Sequence, residues 1–447
     1  MTVKPDLYDV LDDLLRGARR AGADAADAIL VASVAASVSY RLGRLEELER
    51  AESWDLGLRV FAGERVAFVS SNDLSPTTLS ELPVRAMAMA KLAPHDKFAC
   101  LAPADRLAKS WPSLDLEDAN EPSAEVLIER ARALEGAAMA VPGITNSEGG
   151  GASFGRSDMA LATSEGFFGR SAGTSHSIGV AVLAGEGTAM ERDYDSVSAR
   201  HADDLESAEN VGRRAGERTV ARLNPRRAKS QAVPVIFEPR VAASLIGNLA
   251  GAISGASIAR GVSFLKESMN KDVFASGITI IDDPHRLRGL RSRPFDAEGV
   301  STGRLALIEN GVLKTWILDC ASAKQLGLQT TGRAARGTGG PPSPSTTNLY
   351  MEPGKLSPDE LMADISQGLV VTELMGMGVN MVTGDYSQGA SGFWIENGKM
   401  AWPVSGVTIA GSLKDMFRQI TPANDLVFRR GTNAPTLRVE GMTVAGE

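Results

Sequence analysis

Histidine and cysteine are scarce in this chain, with four and two among 447 residues. A helical zinc site needs two histidines one turn apart, so that both imidazoles converge on the ion. No two of His95, His176, His201 and His285 lie within twenty residues of one another. A local pair is therefore excluded, and each reads as a surface or loop residue. His285, in the run Asp282-Asp283-Pro284-His285, is the one most worth following. Cys100 and Cys320 are too few for a disulfide framework and read as two reduced thiols. A basic excess is also missing. Lys and Arg number 47 against 55 Asp and Glu, a formal net charge of -8, which argues against general nucleic-acid binding. The cations from Arg213 to Lys229 are interleaved with Glu217 and read as a solvated helix end. No apolar run reaches the ~18 residues a membrane span needs. The start, with Asp6, Asp9, Asp12 and Asp13, is unlike a signal peptide. A cytoplasmic protein is expected.

What is present is ordinary for a globular protein: 43% hydrophobic and 23% charged residues. At about 150 residues per domain the length suggests three units. The expected fold class is α+β, with an N-terminal α+β unit (1–110), a middle α+β unit (111–228) and a strand-rich C-terminal unit (229–447) holding a curved mixed sheet. Leu7, Val10, Leu11, Leu14 and Leu15 recur at helical spacing. Strands are expected at Ser37 to Leu42 and Asp55 to Ser70, the latter turning at Gly63-Glu64, and a helix from Thr77 to Ala93. Leu101 to Asn120 reads as a linker or long loop. Ser123 opens a capped helix with Val126, Leu127, Ala131 and Leu134 on its apolar face. Ile144 to Met190 alternates like an antiparallel sheet, and Asp203 to Leu223 is helical, ending at Asn224-Pro225. In the third unit Val233 to Phe237 is a strand and Arg240 to Gly255 a helix. Asn310-Gly311 and Asn397-Gly398 are the strongest turn signals, since Asn-Gly tolerates the positive φ of a type I′ hairpin. Gly332 to Pro353 reads as an irregular loop and Leu356 to Leu374 as a helix.

Most catalytic signatures fail. Gly-x-Ser-x-Gly occurs at Gly151 to Gly155 and Gly169 to Gly173, but strand-like residues follow where a nucleophile elbow needs a helix. Ser263-Phe264-Leu265-Lys266 lacks its companion motifs. The glycine clusters at 149–151 and 337–340 lack the Lys-Ser/Thr ending of a P-loop. One segment stands out, Thr383-Gly384-Asp385-Tyr386-Ser387-Gln388-Gly389-Ala390-Ser391-Gly392, leading into the aromatic hairpin Phe393 to Gly398. On spacing alone it reads as a tight crossover feeding a buried strand.

That segment, continued through Pro403 to Gly411, resembles the TldD/PmbA family of bacterial proteins, the PmbA (TldE) side more than the TldD side. Gly368 to Gly376, Arg293-Pro294-Phe295-Asp296-Ala297-Glu298-Gly299, Thr347 to Tyr350 and Asn433 to Gly446 match as well. The likeness covers the third unit closely and the first two more loosely. It implies a pair of homologous subunits forming a chamber that degrades or trims peptides. The TldD-like subunit carries zinc on a His-Glu-x-x-x-His helix, completed by a cysteine near its C-terminus. The equivalent helix in this chain, 240–255, has Ile246, Gly247 and Gly251 in the His, Glu and His places, and 420–430 has no cysteine. The resemblance thus implies a degenerate zinc site, no catalytic residue and no cofactor in this chain, with zinc in a TldD-like partner. It makes Gly384, Asp385, Tyr386, Ser387, Gly389, Gly392 and His285, with loop 332–353, candidates to line the substrate chamber or the subunit contact. An exposed strand edge nearby would hold an extended peptide through its backbone. The implied partners are the TldD-like subunit and peptide or unfolded-protein substrates, with no direct nucleic acid and no membrane; a homodimer stays open. Two alternatives remain: a peptidase active alone as a homo-oligomer, and a non-enzymatic interaction protein such as a modulator of DNA gyrase.

Overall fold

Alternation and capping build the first half of the computed structural model, which describes residues 6–376 and 378–446. Asp6 caps α1 (Leu7–Arg20) by accepting the Tyr8 amide, and Leu7, Val10, Leu11 and Leu14 face inward. Three antiparallel strands follow: β1 (Ala25–Arg41), β2 (Arg44–Ala62) and β3 (Arg65–Ser71). The predicted turn at Gly63-Glu64 joins β2 to β3. An unforeseen one joins β1 to β2 through Leu42 and Gly43, both with positive φ. After α2 (Pro76–Leu92) the chain is largely irregular until Ser123 caps α3 (Ala124–Met139). Val126, expected on the apolar face of α3, is exposed, because Leu127, Ala131 and Leu134 define the buried stripe one position round. The long strands β4 (Ile144–Thr163) and β5 (Phe168–Ala184) and the shorter β6 (Glu191–Ala199) precede α4 (Ala208–Ala221). This helix starts later than Asp203, since Ser207 is its cap and residues 202–204 form a separate 3-10 turn.

These strands form one six-stranded sheet in the order β3-β2-β1-β4-β5-β6. β1 pairs with β4 from Asp27↔Thr163 to Tyr40↔Gly150, so segments on both sides of residue 110 share it. Ala26, Ala28 and Leu30 pack with α1 and α2, whereas Ala36 and Val38, of the same parity, pack with α3 and α4. All four helices therefore cover one face. The other face, at Ile29 and Leu161, meets Phe167 and Phe295.

The second half contains β7 (Gln231–Phe237), α5 (Pro239–Ala252), α6 (Gly255–Ala259), β8 (Ile280–Asp283), β9 (Leu305–Glu309), β10 (Val312–Leu313) and α7 (Cys320–Leu326). Then come β11 (Ala334–Ala335), β12 (Ser343–Pro344), β13 (Asn348–Met351), α8 (Pro358–Met362), β14 (Gln367–Met375), β15 (Asp385–Glu396) and β16 (Lys399–Ser412). The chain finishes with α9 (Leu413–Arg418), β17 (Ile420–Pro422), β18 (Thr432–Asn433) and β19 (Leu437–Ala445). One sheet runs β16-β15-β14-β7-β19-β17, and β16 pairs again with β19, which closes a barrel. A second sheet runs β10-β9-β8-β13-β18, and the core of the half lies between the barrel, this sheet and α5. Both Asn-Gly turns form as expected, with φ of 48° and 83° at Asn310 and Gly311, and 51° and 76° at Asn397 and Gly398.

Four further expectations need correction. Leu356 to Leu374 is not one helix. The Ser357/Glu360 capping box starts only the short α8, and Leu369, Val370 and Val371 then form a buried strand parallel to β7. A strand covered on both sides reads as a continuous apolar run, which periodicity does not separate from a helix. Loop 332–353 is not wholly irregular, because β13 sits between β8 and β18. His176 is neither surface nor loop. It is buried on β5, against the Phe154 ring and 3.2 Å from the Asp118 carboxylate. Burial pushes this imidazole down. The cations after Arg213 are not simply solvated: Arg222 is buried and reaches Glu191, Asp193 and Glu373, while Arg214 and Arg218 hold Asp195.

The two halves are joined by buried charge. Asp27 on β1 accepts Arg59 of β2 at 2.9 Å and Arg336 of loop 332–353 at 2.6 Å, all three side chains being buried. Burial opposes ionisation of Asp27, yet the two guanidiniums outweigh it and hold the carboxyl below its usual range. Gly57 lets the loop lie on β2, since a Cβ there would stand 2.2 Å from the Thr338 carbonyl oxygen. The Arg293 to Gly299 stretch makes a second joint. Asp296 accepts the amides of Glu298, Val300 and Ala334, and Glu298 accepts that of Cys320. Phe295 packs edge-on against Trp111 and Phe167.

Removing one partner of a buried charge cluster leaves the rest uncompensated and costs about 3–5 kcal/mol. Asp27→Asn is accordingly expected to lower the first urea-unfolding transition by that amount; a loss under about 1 kcal/mol, the worth of an exposed pair, would contradict the cluster's role. Burial, with Asp296 beside it, pushes Glu298 up to about 8. A carboxyl raised above its unfolded value contributes stability that is complete below about pH 4 and declines as pH rises toward 8. Glu298→Gln should therefore flatten the fall in melting temperature between about pH 5 and 8, and an unchanged slope would refute the assignment.

Candidate functional site

Pro239 sets the first turn of α5, and Val241, Ala242, Leu245, Ile246 and Leu249 bury one side of it. Ile246 is wholly inside the core. Gly247 and Gly251, one turn apart, lie on the other side. A Cβ at Gly247 would meet nothing within 4 Å, and one at Gly251 would meet only the Met381 methyl at 3.0 Å. The three positions thus offer one alkyl side chain turned inward and two bare backbone sites. The residues present do not fit a zinc ion. Asn248 beside them has a buried amide nitrogen without a partner, but an amide donor repels a cation. Among the described residues no three of His, Cys, Asp and Glu are grouped to share a metal.

The glycine-rich segment comes next to this helix through Met381, whose carbonyl accepts the Phe264 amide while its methyl covers Gly251. Gly384, at φ 90°, turns the chain into β15. Beyond it the candidates divide by parity. Asp385 and Ser387 are exposed. Asp385 accepts the Thr383 hydroxyl at 2.6 Å, and the Ser387 amide donates to the Gly378 carbonyl at 2.6 Å. Tyr386 points into the core at 1% exposure with its hydroxyl unpartnered, and burial pushes the phenol up. Gly389 lies against Met375, and Gly392 passes so close to β14 that a Cβ would stand 1.8 Å from the Val370 carbonyl oxygen. His285 is not brought to this group: its amide donates to Asp283, and its ring lies 2.9 Å from the Thr302 hydroxyl.

The helix and the segment before the last strand do converge, on a cavity of about 300 Å³. Pro239, Arg240 and Ala243 form one wall, and Asp425, Arg429 and Asn433 the other. Arg218 enters from α4, held by Asp195 at 3.1 Å and Glu238 at 3.3 Å. Arg240 grips Asp193 with two nitrogens, at 2.6 and 2.9 Å. Burial disfavours its charge, but Asp193 more than compensates and holds the guanidinium above its ordinary value. On the far side of Arg218 and Arg240 a mainly apolar groove of about 410 Å³ runs past Ile236, Met362, Val370, Phe393 and Met400. Sequence reasoning missed these arginines. The signal available was Arg429-Arg430, at the end of the stretch searched for cysteine. Such an arrangement can grip carboxylates, peptide carbonyls and apolar side chains.

Three family models match the chain: PmbA/TldA metallopeptidase domain 1 over residues 26–90, the central domain over 117–223 and the C-terminal domain over 230–446. The metalloprotease PmbA of Escherichia coli O157:H7 is 39% identical over 426 residues, 95% of this chain and 93% of that one. The PmbA homologue of Haemophilus influenzae is 36% identical, over 96% and 94% of the two chains. A candidate modulator of DNA gyrase from Bacteroides thetaiotaomicron has a solved structure with a TM-score of 0.92, covering both chains fully at 26% identity. TldE from Thermococcus kodakarensis shares the fold with a TM-score of 0.87, at 22% identity over 97% of this chain and 99% of that one. The chain belongs to the PmbA/TldD metallopeptidase family, and within it to the PmbA (TldE) type.

Proposed function

We propose that this chain is the non-catalytic subunit of a two-component cytoplasmic metallopeptidase. A TldD-like partner carries the zinc, and this chain helps to bind peptides or unfolded proteins for processing. The observation that carries the reading is the pairing of α5 with segment 425–434. Both walls of a site are present and converge on a cavity, while Ile246, Gly247 and Gly251 supply neither a metal ligand nor a base. TldD homologues are relatives of this chain, one from Buchnera aphidicola being 26% identical over half of each sequence. The apolar groove beside the arginines suits the side chains of an extended substrate, and Asp385 and Ser387 stand where an approaching subunit or peptide can reach them.

The test is co-purification with a TldD-like subunit, followed by peptidase assays on each subunit and on the pair, with and without chelator. The pair alone is expected to cleave, in a chelator-sensitive way. Chelator-sensitive cleavage by the isolated chain would overturn the reading. Within the pair, Asp385→Ala is expected to lower kcat/KM several-fold while leaving the isolated chain's melting temperature unchanged, because the carboxylate is exposed. Undiminished cleavage would remove Asp385 from the substrate or subunit contact.

A further inference from the structure

The two cysteines of the chain come from different halves, yet both line one cavity of about 380 Å³. Cys100, half-buried, lies in the irregular stretch after α2, and Cys320, buried, opens α7; neither is bridged. They share one apolar cluster with Ala102, Leu107 and Val300. Hydrogen bonds fasten the stretch after Cys100 to the second half. The Ser301 amide donates to the Arg106 carbonyl at 3.0 Å, and the Arg106 guanidinium donates to the Thr330 carbonyl at 3.0 Å. Packing and backbone thus keep the thiols together, near enough that a charge on Cys100 acts on Cys320. Two further features distinguish the pair from thiols that are merely buried. Glu298 accepts the Cys320 amide at 2.8 Å and its S–H as well, so a proton acceptor stands on the thiol. The cavity wall also carries Asp105, Arg106 and Lys324. Two cations and one anion match the two carboxylates and one ammonium of a glutathionyl group.

We propose that Cys100 and Cys320 are a thiol–disulfide exchange site, which glutathione disulfide oxidises to a bond joining the two halves. Cys100, the more accessible, loses its proton to solvent and attacks one sulfur of glutathione disulfide. A bond forms between Cys100 and one glutathione, and the other leaves as thiolate and takes up a proton. Cys320 then attacks the Cys100 sulfur while its own proton passes to Glu298. The second glutathione leaves as thiolate and is protonated in turn. In sum, two protein thiols and one glutathione disulfide give one protein disulfide and two reduced glutathiones. Burial and Glu298 push the Cys100 thiol up, while Lys324 and Arg59 pull it down. Little thiolate is present at rest, so exchange runs over minutes to hours. In a reducing compartment such a bond forms only when the glutathione pool is oxidised, which makes it a reversible redox mark. The inference does not depend on the peptidase reading.

The experiment treats the full reduced chain with glutathione disulfide, alkylates the thiols that remain, and examines intact chain and non-reduced peptides by mass spectrometry. Both thiols are expected to disappear, with the Cys100 and Cys320 peptides joined within one chain and released by dithiothreitol. Cys320→Ser is expected to stop at a glutathione adduct on Cys100, and Cys100→Ser to react several-fold more slowly. Glu298→Gln should slow closure several-fold without slowing adduct formation in the Cys320→Ser chain, a split that a merely structural role would not produce. Arg106→Ala with Lys324→Ala should slow the reaction with glutathione disulfide but not with the uncharged hydroxyethyl disulfide. Circular dichroism checks that each variant stays folded. Thiols that stay free overturn the proposal, as do a Cys100 adduct that persists in the parent chain and a bond found only between chains. Unchanged closure in Glu298→Gln would remove Glu298 from the proton transfer.

Discussion

Asp27 is a single carboxylate holding two guanidiniums that arrive from opposite ends of the sequence, Arg59 on the next strand and Arg336 more than three hundred residues on. None of the three side chains is more than 4% exposed, so none can be left alone without a large penalty. A buried cluster of this kind contributes less to net stability than to specificity. Its geometry is satisfied only when loop 332–353 lies on β2, which in turn requires the bare backbone at Gly57. Arg333, three residues before Arg336, binds Asp282 of β8, and Asp282 also takes the Thr347 amide and hydroxyl. The same loop therefore fixes the sheet of the second half and the sheet of the first. What the sequence presents as a Gly/Pro-rich connection is the clasp of the molecule.

With the halves clasped, α4 brings Arg218 to α5, and α5 faces segment 425–434. The resulting cavity is lined by arginines and carboxylates that neutralise one another, and the helix face beside it is made of glycine. Glycine at 247 and 251 leaves open space and a methionine methyl where side chains would otherwise stand. Such a surface can receive part of a substrate or a partner.

Short-range signals in the sequence were legible wherever local chemistry decides the structure. Asp6 and Ser123 cap the helices they precede, and the two Asn-Gly turns adopt the positive φ that type I′ geometry needs. The α+β class and a strand-rich second half with a curved mixed sheet followed from such elements; the closure of that sheet did not. What escaped was decided by distant partners. Leu369-Val370-Val371 is a strand only because β7 lies parallel beside it. His176 is buried because Asp118, fifty-eight residues earlier, meets its ring. Arg222 leaves solvent for three carboxylates on β6 and β14. For the site, resemblance pointed to the helix and the glycine segment, and the structure places them side by side through Met381. The opposite orientations of Asp385 and Tyr386 were not, since they depend on closure of the barrel. The arginine-lined cavity arises from three segments that no local pattern connects.

On the proposed function, this chain takes part in metallopeptidase action without holding the metal. The zinc content of the purified chain and of its complex with a TldD-like subunit, measured by elemental analysis after dialysis against trace zinc, tests this most directly. Negligible zinc in the isolated chain and about one ion per heterodimer are expected. Stoichiometric, chelator-removable zinc in the isolated chain would contradict it.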